Sequence, residues 1–247
     1  MNLKELKIYF ISSIKNLYPS EEVFSFFNLL AEKQLGLSRI EIALQPEKEI
    51  SEAEKLEFDK AISRLGNFEP IQYILGDTEF FGLPFRVDNN VLIPRPETEE
   101  LVDWIADETQ NKEANILDIG TGSGCISISL AKHLPKAKVV GLDVSADALL
   151  VAKHNAELNK VDNVISHEPD IALFVEDEDP LLFYRKIAQL SKIYLKPEGA
   201  LYFEINEYLS KEMKEMLEFE GFKDVEIRKD IFKKDRMIKC MKNEKIR

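Results

Sequence analysis

Apolar residues in the first 75 positions recur at helical spacing. The first of them stand three or four residues apart, at Leu3, Leu6, Phe10, Ile14 and Leu17. Such steps place side chains on one face of an amphipathic helix. Four further helices are predicted, starting at Ser20, Ser38, Ser51 and Pro70. Residues 1–75 are therefore predicted to be an N-terminal helical-bundle domain, with a core that includes Phe24, Phe26, Phe27 and Phe58.

The pattern changes after this helical segment. Residues 76–95 are short, β-rich and interrupted by Gly82 and Pro84, which predicts a β-hairpin that links two domains. A helix begins at Pro96, and from Asn115 onward apolar strands alternate with helices. The last two strands, KDVEIRKD and RMIKCMK, are joined closely enough to pair antiparallel at one edge. Alternating strands and helices are typical of a parallel sheet with helices on both faces, so residues 96–247 are predicted to be a doubly wound α/β domain.

One stretch of this domain is too short for its predicted fold. Only 19 residues, VDNVISHEPDIALFVEDED, lie between the helix ending near Lys160 and the helix beginning at Pro180. Two more strands and a crossover helix need roughly 50 residues. We find no strand in this stretch by pattern. The sheet is therefore either truncated, or a segment is missing from the sequence near Ile165–Ser166, and we favour the missing segment.

Composition narrows the class of protein. Hydrophobic residues make up 45% of the chain, which fits a folded globular protein and excludes disorder as the main state. The 33 basic and 45 acidic residues give a net charge of −12, which disfavours general binding to nucleic acid. No apolar run is long enough to cross a membrane. Two cysteines, no recognisable signal peptide and no metal-ligand spacing predict a cytoplasmic protein without a metal site.

The strongest local motif lies where the first strand of the α/β domain meets a helix. It consists of Asp118, Gly120, Thr121, Gly122, Ser123 and Gly124. Glycines let the backbone turn sharply close to a ligand, and the start of a helix offers unpaired N–H groups. A dinucleotide loop has the form G-x-G-x-x-G, whereas here the third glycine comes one position early and is followed by Cys125. The D-x-G-x-G-x-G form instead resembles the S-adenosylmethionine loop of class I methyltransferases. A glycine-rich turn without any ligand is the alternative.

Two further places carry candidate chemistry. Asp143 ends the second strand, 19 residues after Gly124, where a carboxylate can accept hydrogen bonds from both ribose hydroxyls of an adenosine cofactor. Arg95, Pro96 and Glu97 lie at the junction between the two domains. Acidic residues there are either ordinary helix-start chemistry or one wall of an active-site entrance, and the residues alone leave both open.

Four segments together resemble one family. They are GNFEPIQYILGDTEFFGLPFRV, VLIPRPETEELV, ILDIGTGSGCISISLA and, in the tail, GFKDVEIRKDIFKKDRMIKC. This combination, with HEPDIALF, is similar to the release-factor glutamine N5-methyltransferases (PrmC, also called HemK), and the similarity covers nearly the whole chain. It implies a Rossmann-like methyltransferase fold. It also implies methyl transfer from S-adenosylmethionine to the side-chain amide of the glutamine in the Gly-Gly-Gln loop of peptide-chain release factors.

The resemblance assigns roles to the candidate residues. The loop from Asp118 to Gly124, together with Asp143, would hold the cofactor, and the segment Arg95–Glu97 would border the substrate site. Residues 1–75 would recognise the release factor. We expect a monomer with a protein substrate and no direct contact with nucleic acid or membrane.

One family motif is absent. Members carry an Asn-Pro-Pro-Tyr loop whose asparagine side chain and a neighbouring carbonyl accept hydrogen bonds from the target amide, and no such tetrapeptide occurs in these 247 residues. Its place is the junction where the strand count fails. Catalytic residues therefore remain unassigned. The alternatives are an adenine N6-methyltransferase acting on DNA or RNA, a catalytically silent cofactor-binding protein, and a dinucleotide oxidoreductase, which Cys125 disfavours.

Overall fold

The computed structural model describes residues 1–110, 112–162, 164–167 and 179–243. The chain divides into two compact units. The first comprises Met1–Thr78 and Arg86–Asn89, and the second comprises Glu79–Phe85 and Asn90–Arg247. The boundary therefore runs through the predicted hairpin. Most of the HEPDIALF segment lies outside the described residues.

Five helices make up the first unit. They are α1 (Leu3–Ile14), α2 (Ser20–Leu35), α3 (Arg39–Leu44), α4 (Glu52–Gly66) and α5 (Ile71–Leu75). Capping boxes at Ser38 and Ser51 begin α3 and α4, because each serine side chain accepts from the backbone N–H three residues later and that glutamate accepts from the serine N–H. The predicted starts at Ser38 and Ser51 are confirmed.

Three aromatic rings form the centre of the first core. The ring centroids of Phe10 and Phe27 lie 5.7 Å apart, those of Phe27 and Phe58 5.8 Å, and those of Phe10 and Phe58 6.2 Å. All three side chains are fully buried. At these separations tilted and edge-on aromatic pairs add to the free energy gained by burial. The prediction of an aromatic core is confirmed for Phe26, Phe27 and Phe58.

Two positions in the first unit differ from the prediction. Helix α1 ends at Ile14, so Leu17 lies beyond it and is 41% exposed. Phe24 is 45% exposed, and the Lys7 ammonium lies 5.6 Å from its ring centroid. Val23, Phe26 and Phe27 lie on the buried face of α2, and Phe24 stands about 100° around the helix from Val23, at the edge of that face, because a helix has 3.6 residues per turn. Helical spacing therefore buries Phe26 and Phe27 and leaves Phe24 partly exposed.

The hairpin is present where the sequence predicts it. Strands β1 (Asp77–Phe80) and β2 (Leu83–Arg86) pair as a two-stranded sheet. Helix α6 (Pro96–Thr109) follows, with Pro96 in its first turn. Proline is favoured there because its missing N–H would have no partner inside the helix anyway.

The second unit alternates strands and helices. After α6 come β3 (Asn115–Ile119), α7 (Cys125–His133), β4 (Lys138–Leu142), α8 (Ala146–Leu158), β5 (Val164–His167), α9 (Leu182–Tyr194), β6 (Ala200–Glu204), α10 (Ser210–Phe219), β7 (Lys223–Lys229) and β8 (Asp235–Met241). A turn of 3-10 helix at Glu207–Leu209 precedes α10. The strands form two three-stranded sheets in the orders β3-β4-β5 and β6-β8-β7. The first is parallel and the second antiparallel.

A strand lies where the sequence pattern predicts none. β5 spans the suspected junction and pairs parallel with β4, with Val140 opposite Ile165 and Gly141 opposite Ser166. The expectation of no strand between Lys160 and Pro180 is therefore wrong. Four residues with only two aliphatic side chains are too few to show a period, so pairing with β4 decides the conformation.

Strand β3 has a free edge among the described strands. It pairs with β4 on one side, and no residue of β3 is buried, with Leu117 53% exposed. In contrast, Val139 on β4 is 1% exposed. Strands in parallel sheets are ordinarily buried on both faces. Strand β3 is therefore more exposed than is usual for a strand of a parallel sheet.

A polar network joins α6 to the antiparallel sheet. The Glu108 carboxylate accepts hydrogen bonds from Trp104 Nε1 at 2.7 Å, Tyr202 Oη at 2.6 Å and Lys239 Nζ at 2.5 Å. Burial opposes the charged form, but these three donors outweigh it and lower the pKa of Glu108 to about 2. The Arg228 guanidinium lies over the Trp104 ring, 3.9 Å from its centroid.

Replacing Glu108 with glutamine should lower the free energy of unfolding by about 2 kcal/mol at pH 7, because three donors lose a charged acceptor. A folded pKa of about 2 lies below the ordinary 4.5. The stabilisation is therefore complete above pH 4.5 and is lost as the pH falls toward 2. Urea unfolding from pH 7 to pH 2.5 measures it. Asp107→Asn, an exposed position on the same helix, is the control. Equal stability losses for the two variants would contradict the network.

Candidate active site

The loop between β3 and α7 is fixed to the end of β4. The backbone N–H groups of Gly120 and Thr121 both donate to the carbonyl oxygen of Leu142, each at 2.8 Å. Gly141 makes this approach possible, because a Cβ there would lie 2.9 Å from Thr121 Oγ1. The carboxyl ends of two neighbouring parallel strands therefore hold the loop, which is where ligands bind in open α/β sheets.

Asp118 braces the loop from inside. Its Oδ2 accepts a hydrogen bond from Thr121 Oγ1 at 2.6 Å, and Thr121 Oγ1 lies 2.8 Å from Ser127 Oγ in the first turn of α7. Asp118 as a whole is half-buried, but its carboxylate is shielded from water, which raises its pKa; the nearby charge of Asp143 raises this pKa further, while the hydroxyl groups oppose the shift. The predicted loop residue Asp118 thus ties the strand, the loop and the helix together.

Asp143 lies beside the same loop. Its Oδ2 accepts from the N–H of Gly122 at 2.8 Å, and its Oδ1 accepts from the N–H of Ser145 at 3.0 Å. Each carboxylate oxygen has two lone pairs, so both can accept a further hydrogen bond. The side chain is half-buried. The structure brings the two predicted acidic residues, Asp118 and Asp143, to one loop.

Gly124 closes the loop at the start of α7. Its φ of 80° lies in the left-handed region, and an added Cβ would lie 2.7 Å from Ile128 Cδ1 and 3.3 Å from Ala152 Cβ. Only glycine fits that conformation and that space. Behind it, Asn155 Nδ2 donates to the carbonyl oxygen of Ser123 at 2.9 Å. This part of the loop is therefore shaped by packing inside the protein.

The outer part of the loop is open. A Cβ added to Gly120 would have no heavy atom within 4 Å, and one added to Gly122 would meet only the Gly120 carbonyl oxygen at 4.0 Å. The Asp143 carboxylate bonds the N–H of Gly122 in this part of the loop, and α7 begins directly after the loop without a side-chain cap. These features fit an adenosine cofactor that carries an amino-acid moiety. The ribose hydroxyls of such a molecule need a hydrogen-bond acceptor, and its carboxylate needs backbone N–H donors close by.

The start of α6 lies near the end of β6. Arg95 is the exposed N-cap, Pro96 is the first helical residue and Glu97 is half-buried. The hydroxyl of Thr98 donates to Glu204 Oε2 at 2.7 Å, and Glu204 is the last residue of β6. The three predicted border residues therefore come directly before Thr98 in the sequence, and Thr98 contacts the carboxyl end of β6.

Sequence reasoning missed Glu204. Its side chain accepts the hydrogen bond from Thr98, so the carboxyl end of β6 and the start of α6 come together in the second unit. The signal for it was an acidic residue ending the apolar run ALYFE, the same pattern that ends the second strand at Asp143. Burial raises the pKa of Cys125 to about 12, so its thiol stays protonated and is no nucleophile.

Comparison with known proteins places this site in a family. A family model described as PrmC N-terminal domain matches residues 15–76, and one described as methyltransferase domain matches residues 110–221. The release factor glutamine methyltransferase of Flavobacterium psychrophilum is 43% identical, over 97% of this chain and 99% of its own length. The chain belongs to the release factor glutamine methyltransferase family.

A second relative agrees with this membership, and a solved structure shows the same fold. The release factor glutamine methyltransferase of Bacteroides thetaiotaomicron is 40% identical, over 96% of this chain and 99% of its own length. A solved methyltransferase from Pyrococcus furiosus is 20% identical with a TM-score of 0.52, covering 76% of this chain and 96% of its own, and shows a shared fold. The Rossmann-like methyltransferase fold and the N-terminal helical domain predicted from sequence are confirmed.

The alignments with the two relatives named above are longer than this chain. The alignment with the Flavobacterium methyltransferase extends over 281 positions, and the chain has 247 residues, so at least 34 positions of that relative have no counterpart here. Nearly the full length of both proteins is aligned. At least some of the unmatched positions must therefore lie inside the chain.

Metal-binding clusters and membrane-spanning helices are not found in the described part of the chain. Among these residues, no group of three His, Cys, Asp or Glu side chains is placed to hold a metal ion. Within the same residues, no helix combines the length and the apolar character needed to cross a membrane.

Proposed function

We propose that this protein transfers a methyl group from S-adenosylmethionine to the side-chain amide nitrogen of the glutamine in the Gly-Gly-Gln loop of peptide-chain release factors. The observation that carries the proposal is the 43% identity to a release factor glutamine methyltransferase over 97% of the chain. The glycine loop between β3 and α7 supports it, because its open face and the neighbouring Asp143 carboxylate suit that cofactor.

S-adenosylmethionine supplies a methyl group bound to a positively charged sulfur, which is already a strong electrophile. The residues of the protein then have to bind and orient the reactants, and orientation alone can account for a large part of a rate gain. In this proposal the loop Asp118–Gly124 holds the cofactor, and Asp143 accepts hydrogen bonds from its ribose hydroxyls. Asp118 acts through Thr121, which it holds at 2.6 Å.

The acceptor side of the site is proposed to be bordered by Arg95, Pro96 and Glu97. Arg95 is exposed at the start of α6, and the neighbouring Thr98 contacts the end of β6. We assign recognition of the release factor to residues 1–75, the region in which the PrmC N-terminal domain matches. The hairpin at residues 76–95 would be the linker, and residues 96–247 the catalytic domain.

We further propose that the natural protein carries an additional segment near Ile165–Ser166. Three observations support this: the Asn-Pro-Pro-Tyr motif is absent, β3 has an open edge among the described strands, and at least 34 aligned positions lack a counterpart. These observations have different origins, since they come from a motif, a sheet and an alignment length. The alternative is a cofactor-binding protein that has lost its acceptor site by nature.

The function is tested with methyl-labelled S-adenosylmethionine. The protein from the uninterrupted gene is offered a release factor, the same release factor with its loop glutamine replaced by alanine, transfer RNA and duplex DNA. Label in the unaltered release factor alone is the expected result. Label in nucleic acid alone would favour an adenine N6-methyltransferase, and no label in any acceptor, with cofactor bound, would favour the silent protein.

The proposed function has consequences for the location of the protein, its oligomeric state and its contact with nucleic acid. We propose a cytoplasmic monomer without direct nucleic-acid contact, since release factors act there and the net charge of −12 repels phosphate backbones. Sedimentation of the purified protein measures the oligomeric state.

A further inference from the structure

The turn between β7 and β8 is held rigidly by one buried carboxylate. Asp230 accepts hydrogen bonds from the N–H groups of Phe232 and Lys234, both at 2.9 Å, and from Arg236 Nε at 3.1 Å. Its backbone pairs with Lys234 at 2.9 Å, and the N–H of Lys233 donates to its carbonyl oxygen at 2.8 Å. Side chains at the tip of this turn are therefore presented from a fixed backbone.

Three contacts place this turn beside the candidate active site. The N–H of Ile231 donates to Glu100 Oε1 in the first turns of α6 at 2.8 Å. Lys234 Nζ lies 2.7 Å from Glu207 Oε2, in the segment after β6. Arg236 pairs with Ile205, whose N–H donates to the Arg236 carbonyl oxygen at 2.8 Å. The turn thus lies against the start of α6 and the carboxyl end of β6, where Thr98 meets Glu204.

The tip exposes large apolar side chains. Ile231 is 64% exposed and Phe232 63%, and Tyr208, in the segment that Lys234 contacts, is 79% exposed. Single exposed apolar residues are normal on protein surfaces. Here two adjacent ones stand on a backbone fixed by buried hydrogen bonds, and the third follows Glu207, whose carboxylate lies 2.7 Å from Lys234 Nζ. Such a group next to a site is typical of an interaction surface.

Lys233 adds a charge and a backbone cost. Its φ of 64° lies in the left-handed region, which glycine or asparagine adopts at lower cost. Among the described residues its ammonium group pairs with no carboxylate, whereas the neighbouring Lys229 and Lys234 each have an acidic partner. A strained residue with an unpaired charge beside a site points to a role outside the folded chain itself.

We propose that Tyr208, Ile231, Phe232 and Lys233 form a docking rim for the release factor. The rim would bind a segment outside the acceptor loop that presents an apolar side chain and a carboxylate, since these complement the exposed rings and the Lys233 ammonium. This inference rests on the proposed function, because the release factor is its partner. It adds a specificity-determining surface that does not touch the reacting groups.

The test measures binding of unmethylated release factor to the full-length protein with S-adenosylhomocysteine present. Phe232→Ala should weaken binding about tenfold and Lys233→Gly at least threefold, because central aromatic and charged contacts dominate such interfaces. Phe219→Ala is the matched control, since Phe219 is 90% exposed at the end of α10, and it should leave binding unchanged. The dissociation constant for the cofactor should be unchanged in all three variants.

Lys233→Gly separates the docking role from folding. Glycine relieves the left-handed strain, so this variant should unfold at a higher temperature while it binds the release factor more weakly. Its binding should also depend less on salt than that of the unaltered protein. Variants that bind as tightly as the unaltered protein, or that bind weakly only because they are unfolded, overturn the docking rim. An unaltered protein that does not bind release factor at all overturns the proposed function as well.

Discussion

Replacing Asp143 with alanine is expected to weaken S-adenosylmethionine binding about a hundredfold. The two ribose hydroxyls of the cofactor would lose the carboxylate that accepts their hydrogen bonds, and bonds to a charged acceptor contribute about 1.5–3 kcal/mol each. It would also release the N–H groups of Gly122 and Ser145, which it now holds at 2.8 and 3.0 Å. Titration calorimetry of the purified variant measures the dissociation constant.

Two controls separate binding from folding in this experiment. Asp147→Ala changes an exposed acidic residue in the first turn of α8 and should leave cofactor affinity unchanged. Asp143→Asn keeps the size and one acceptor oxygen, and should fall between alanine and the unaltered protein. Unchanged affinity in Asp143→Ala, with the protein folded, would mean that the cofactor lies elsewhere.

The second large effect concerns the open edge of β3. The 247-residue chain should bind S-adenosylmethionine yet methylate release factor at least a thousandfold more slowly than a form that carries the unmatched segment of the Flavobacterium methyltransferase near Ile165–Ser166. The physical reason is orientation, because without residues that hold the acceptor amide the reactants meet only by chance. Single-turnover transfer of labelled methyl groups, with cofactor and release factor saturating, measures the difference.

The control for this comparison is an insert of the same length made of glycine and serine, which lengthens the chain without supplying acceptor contacts or a strand. It should bind cofactor and remain inactive. The mass of the natural protein is a separate check, since a value near 28.4 kDa would contradict a missing segment. Full activity of the 247-residue chain would contradict it more directly, by showing that other residues bind the acceptor.

Local chemistry explains what the sequence alone determined. Capping boxes at Ser38 and Ser51 and the glycine turn at Gly120–Gly124 depend on neighbours within a few residues, so their residue types already specify the backbone. Three of the four predicted core phenylalanines are buried. Their place on the apolar face of a helix follows from residue spacing within one or two helical turns, which is also local. The motif Asp118–Gly124, together with Asp143, is therefore recognisable from residue types and spacing alone.

Only the tertiary structure decided the remaining features, because they join residues far apart in the chain. The Thr98–Glu204 and Ile231–Glu100 hydrogen bonds connect positions 106 and 131 residues apart, and no spacing rule predicts such pairs. Strand β5 forms because it pairs with the edge of β4. Its four residues have too little apolar pattern for this pairing to be predicted from the sequence. Local sequence thus specifies the loop that is proposed to hold the cofactor, while packing between distant segments determines what surrounds it.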